Sequence, residues 1–110
     1  MAVLAGSPLP DPLREQVIED TLRGAPQAKQ TWTRHNMIAD VSAGLDAVAV
    51  PVSVVLGDRD QVERETTLRA VFSRFIPHAT FHVLRGVGHL SPLEAPGEIA
   101  DVCMRHLARA

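Results

Sequence analysis

The run Val50-Pro51-Val52-Ser53-Val54-Val55-Leu56, closed by Gly57, constrains the fold of this chain more than any other stretch. β-Branched side chains favour extended backbone, and near-continuous apolar character means that both faces of the strand need cover. Strands of that kind belong to parallel sheets, whose crossover helices screen both faces. Pro51 suits the first strand residue, where no ladder donor is needed. A second strand is expected at Thr80 to Leu84, T-F-H-V-L. Between the two, Glu65 to Ile76 sets Leu68, Val71, Phe72, Phe75 and Ile76 on one helical face, and Pro77 ends the helix. Pro96 to Ala108 makes a closing helix with Ile99, Val102, Cys103 and Leu107 inward. Strand, helix, strand, helix in this order implies an α/β fold: two parallel strands with flanking helices, joined by a right-handed crossover.

The first half of the chain reads as helical. Met1 to Pro10 is small, apolar and proline-rich with no period that would bury a face, so it is a loop or the tail of an element begun earlier. Asp11 is placed to cap a helix, with Pro12 at its first position, Leu13, Val17, Ile18 and Leu22 at helical spacing, and Gly24 as the stop. Ala25 or Pro26 opens a second helical stretch to about Ile38. It holds the chain's one tryptophan, Trp32, expected to pack because aromatic side chains dominate core burial. Asp40 to Ala49 is a short helix or turn with Asp40 as its cap.

A chain of 110 residues has one compact domain as its ceiling. Such a chain buries roughly 60–70% of its unfolded surface, enough for a core but not a generous one. The net charge of −2, with acids and bases interspersed, offers no basic stripe for phosphates or lipid headgroups, so neither nucleic acid nor membrane is an expected partner. Cys103, the single cysteine, has no partner for an internal disulfide, and Met1 is not followed by a charged-then-apolar leader; the expected compartment is the cytoplasm. The longest apolar runs are too short to span a bilayer.

Parallel α/β sheets place ligands and catalytic groups at the C-terminal edge of their strands. Here that edge receives G-D-R-D, Gly57 to Asp60, after the first strand and G-V-G-H, Gly86 to His89, after the second. A carboxylate and an imidazole 29 residues apart are thereby expected side by side. A carboxylate bonded to one imidazole nitrogen fixes the tautomer and stabilises the imidazolium that forms when the other nitrogen takes a proton. A glycine-flanked loop exposes His89 while its neighbours hold the backbone, a placement suited to proton transfer.

The stretch Val50 to Asp60, then Ile76-Pro77-His78-Ala79, then Gly86-Val87-Gly88-His89-Leu90-Ser91-Pro92-Leu93-Glu94-Ala95-Pro96 resembles the C-terminal third of an α/β-hydrolase. In that family the acid follows the penultimate strand in G-x-x-D and the histidine follows the last strand in G-x-G-H. The resemblance makes Asp60 the acid and His89 the base, residues 50–110 the C-terminal part of the hydrolase domain, and residues 1–49 a lid-like or cap-like helical segment. Asp58 is the runner-up acid. Arg59 and Glu63 are expected in a solvated loop, Ser91 and Glu94 as caps of the closing helix, and His35, His78, His82 and His106 as surface or core packing.

The family also needs a serine on a G-x-S-x-G elbow, with backbone donors for the oxyanion. The nearest approach is Asp40-Val41-Ser42-Ala43-Gly44. Aspartate stands in its first glycine position, no strand-like run leads into it, and Ser42 lies only 18 residues before Asp60. The expectation is therefore a piece of a hydrolase that supplies the acid and the histidine, acting with a nucleophile from elsewhere on a small ester-like or carbon–carbon substrate. No cofactor and no metal are expected. A different reading is a non-catalytic interaction module or split-enzyme half. Its open sheet edge would dock on a partner chain or a second copy.

Overall fold

The computed structural model describes residues 3–109 of the chain. It divides into two compact units, Leu9–Ala43 and Met1–Pro8 with Gly44–Ala110.

In the first unit, helix α1 spans Asp11–Arg23 and helix α2 spans Pro26–Arg34, followed by a 3-10 turn at Asn36–Ile38. Pro10 takes the N-cap position of α1, one residue earlier than expected, and Asp11 opens the helix without a capping hydrogen bond. Its charge still sits in the first turn, where the helix dipole favours an anion. Gly24 ends α1, as expected. The packing differs from expectation. Leu13 and Val17 are half-buried, Leu22 is exposed, and neither helix buries a residue. Trp32 is 58% exposed, not packed. Two short helices without a second layer in their own unit have too little surface to cover an indole.

In the second unit a 3-10 turn at Leu45–Ala47 leads to strand β1 (Ser53–Gly57), helix α3 (Glu65–Phe75), strand β2 (Thr80–Leu84), a single helical turn α4 (Ser91–Glu94) and helix α5 (Pro96–Leu107). The strands pair in parallel, from Ser53 opposite Thr80 to Gly57 opposite Leu84. β1 is shorter than the apolar run because its partner supplies only five residues; Val52 still accepts the Thr80 N–H, at 2.9 Å.

Alternation along the strands sends successive side chains to opposite faces. One face carries Val55 and Leu84, packed with Val87, Ala95 and Ile99 of the following loop and helix. The other carries Phe81, whose ring meets Phe72 of α3 edge-on at 5.7 Å and lies under the Arg69 guanidinium. The inward stripe of α5 is Ile99, Val102 and His106; Cys103 and Leu107, expected inward, are exposed. Each sits one step, about 100°, past an inward residue, which turns it from the sheet. Val71 of α3, one step before Phe72, is likewise turned off the Leu68–Phe72–Phe75 stripe. Cover on both faces of β1 is partial: Val52 to Val55 are half-buried and only Leu56 and Gly57 are buried. Two strands with one helix on each side leave the flanks of the sheet open.

Candidate active site

Both strands end at the same edge, and the loops that leave them are stitched together by backbone hydrogen bonds. Asp58 N–H donates to Leu84 C=O and Arg59 N–H to Val87 C=O, each at 2.9 Å. The turn after β1 then aims Asp60 at the loop after β2. His89 Nδ1 donates to Asp60 Oδ2 at 3.0 Å. The Asp60 side chain is 7% exposed and the imidazole 36%, so the carboxylate is the sheltered member and the ring faces outward. Asp60 Oδ1 accepts the N–H groups of Val62 and Glu63 at 2.8 and 2.9 Å. Burial works to raise the Asp60 pKa. The Glu63 N–H, the His89 hydrogen bond, the Val62 N–H and the charge of the imidazole outweigh it, and hold the carboxyl below its ordinary range. An ionised, hydrogen-bonded carboxylate fixes the Nδ1–H tautomer and leaves Nε2 as the atom that can exchange a proton.

A second carboxylate, which sequence reasoning did not assign to the site, holds the His89 loop. Glu94 Oε2 accepts the Gly6 N–H at 2.8 Å, and both its oxygens accept the Gly88 N–H at 3.1 Å. Leu4 C=O in turn accepts the His89 N–H at 2.7 Å. The segment Leu4–Gly6, unanchored to the eye that reads sequence alone, thus lies against the backbone of the histidine loop. Gly88 permits this approach, since a Cβ there would stand 2.2 Å from the Gly6 nitrogen. Gly86, at φ 76°, makes the turn out of β2. Glu94 is therefore a clamp and not a helix cap; α5 begins after Ala95 with no side-chain cap. The available signal was Glu94 at the end of a single helical turn beginning two residues after His89, where it can reach back.

Asp58 does not meet the imidazole. Its Oδ1 accepts the Gly86 N–H at 2.7 Å, tying one loop to the other. Arg59 is exposed but not unattached, donating to Gly6 C=O at 3.0 Å. Ser42 lies in the other unit, where its N–H donates to Asp40 Oδ1 in a local turn and, among the described residues, no strand precedes it. A strand-to-helix elbow is not formed there. Among the described residues, no group of three or more His, Cys, Asp or Glu is arranged to hold a metal ion, and no helix is long and apolar enough to cross a membrane.

No protein-family model matches the chain, and no curated protein matches it. Among solved structures it is similar to naproxen esterase (carboxylesterase NP) from Bacillus subtilis, with a TM-score of 0.53 and 22% sequence identity over 62% of this chain. The match spans 24% of the length of that esterase. The likeness concerns the fold: an α/β arrangement of two parallel strands and flanking helices, consistent with part of an α/β-hydrolase fold.

Proposed function

We propose that these residues supply the acid and the base of a Ser-Asp-His type hydrolase, with Asp60 as the acid and His89 as the base. The nucleophile would come from outside the 110 residues. The observation that carries this reading is the 3.0 Å bond between Asp60 Oδ2 and His89 Nδ1 at the C-terminal edge of two parallel strands. In the assembled enzyme, His89 Nε2 takes the proton of the attacking hydroxyl as the carbon–oxygen bond forms. Asp60 stabilises the resulting imidazolium, and the same proton passes to the leaving group as it departs. The substrate class is a small ester-like or carbon–carbon substrate. The lid-like role read for residues 1–49 falls in this proposal to the helical unit Leu9–Ala43, and the enzyme works in the cytoplasm.

The test is to extend the reading frame upstream and assay the longer chain on a series of aryl esters. The reading expects an in-frame G-x-S-x-G and turnover that falls by orders of magnitude in His89→Ala. An extended chain that keeps its rate in His89→Ala, or that folds and lacks any serine elbow, contradicts it.

One observation favours a second reading, a module or split-enzyme half that docks on a partner chain. Val50, Met37, Ile38 and Val41 are all more than 60% exposed, and the sheet has open flanks. Light scattering separates the two. A stable oligomer without activity in any assembly supports docking, and a monomer that unfolds cooperatively counts against it.

A further inference from the structure

The N-terminal edge of the sheet, roughly 13 Å of strand away from Asp60 and His89, carries a second cluster of polar side chains. Ser53, His78, His82, Arg105, His106 and Arg109 line a partly enclosed hollow of about 90 Å³. Ser53 and Thr80 are the first paired residues of the two strands, and His82 follows two positions along β2 on the same face. His106 comes from the last turn of α5, its Nδ1 2.9 Å from Ser53 Oγ. His78 Nε2 donates to Val50 C=O at 3.0 Å.

The charges in this hollow are unbalanced. Among the described residues no carboxylate lines it. Arg69 lies on Glu65 at 2.7 Å, Arg14 on Asp11 and Arg23 on Glu19, while Arg34, Arg59, Arg64, Arg74 and Arg85 form no ion pair among the described residues, so what sets the hollow apart is that two such guanidinium groups meet in one place. Among the described residues Arg105 and Arg109 have no ion-pair partner. Two guanidinium groups disfavour a cation, although three imidazoles are near. Their forked N–H donors match an oxyanion. The Ser53–His106 pair has a donor to offer in either tautomer. If the hydroxyl donates to Nδ1, the ring carries N–H at Nε2, and if Nδ1–H donates to the oxygen, the hydroxyl proton is free. The C-terminus of α5 opposes an anion with a partial charge of about half a unit, which two full guanidinium charges exceed.

We propose that this hollow binds a small tetrahedral oxyanion of the phosphate or sulfate class, held by Arg105 and Arg109 with donors from the Ser53–His106 pair and the neighbouring imidazoles. The volume admits the anion itself or the terminal group of a phosphate monoester, not a nucleotide. The inference does not rest on the hydrolase reading, whose residues stand at the opposite edge.

NMR titration of the whole chain tests it, with inorganic phosphate and then methyl phosphate added at an ionic strength held constant with chloride. Saturable shifts are expected in the imidazoles of His78, His82 and His106, with His89 unmoved. Affinity should fall about tenfold or more in Arg105→Gln/Arg109→Gln. Arg105 is exposed on α5 and Arg109 is exposed in the turn that follows it, so the amide spectrum should be otherwise retained. Ser53→Ala, which removes only the hydroxyl, is expected to weaken binding a few-fold. Equal binding of the two probes assigns the hollow to a terminal phosphate group, and preference for inorganic phosphate assigns it to the free anion. Shifts that do not saturate, or that are unchanged in a folded double-arginine variant, overturn the proposal.

Discussion

Trp32 of helix α2 stands 58% exposed, whereas Leu84, which closes the five-residue strand β2, is 6% exposed and packs against Val87 and Ala95. The unit Leu9–Ala43 is regular where its sequence favours helix: proline in the first turns, i,i+4 and i,i+3 ion pairs of Arg23 with Glu19 and Asp20, glycine after α1. Of the apolar residues that are buried in the described chain, that unit contributes Leu9, and the sheet unit contributes Leu56, Ile76, Leu84, Val87, Ala95 and Val102. Local propensity and exposed ion pairs give each helix only tenths of a kcal/mol per interaction, while burying one aliphatic side chain gives about 1.5–3 kcal/mol. The candidate site is built on the second kind of structure, and its rigidity comes from there.

The largest effect that would break this contrast is expected in Leu84→Ala. Removing a buried leucine from the Leu84–Val87–Ala95 cluster should destabilise the sheet unit by about 2–5 kcal/mol, read as a lowered urea midpoint. Next comes Glu94→Ala, which leaves the Gly6 and Gly88 N–H groups without their acceptor and should cost about 1–3 kcal/mol. Hydrogen exchange at the His89 amide, bonded to Leu4, should speed up locally before the global midpoint moves by much.

A smaller effect depends on pH. The Asp60 carboxyl is held below its ordinary range in the folded chain, so its contribution is full above the unfolded value of about 3.9 and is lost as pH falls through the lower folded value. The stability difference between the native chain and Asp60→Asn should therefore narrow below about pH 4, and a gap that stays constant from pH 7 to pH 3 contradicts this. Smallest of all, Leu22→Ala on the exposed side of α1 should change stability by no more than about 0.5 kcal/mol, since Leu22 is 73% exposed.

How much of this was legible in the sequence follows the same divide. The strands, the crossover helix and the meeting of Asp60 with His89 could be read because one physical rule, parallel strands ending at a common edge, places both loops. The bounds of β2 were read to the residue, since Thr80–Leu84 lies between a turn and Arg85. Trp32 was misread because periodicity reports which residues could share a face and not whether another layer covers that face. Cys103 and Leu107 were misplaced for a related reason. A stripe of three inward residues at 99, 102 and 106 is narrower than the apolar spacing allows. The Glu94 clamp was hidden because it joins residues 88 positions apart through backbone donors, and backbone N–H groups leave no mark in the sequence.

The central claim is that Asp60 sets the tautomer of the His89 ring. The most direct measurement is the tautomer of neutral His89, read by ¹⁵N NMR of the imidazole in the native chain and in Asp60→Asn. The account predicts the proton on Nδ1 in the native chain, with Nε2 as the bare nitrogen, and a shift toward the Nε2–H form when an amide that can donate replaces the carboxylate. A native ring with its proton on Nε2, or a tautomer unchanged by Asp60→Asn, would contradict it.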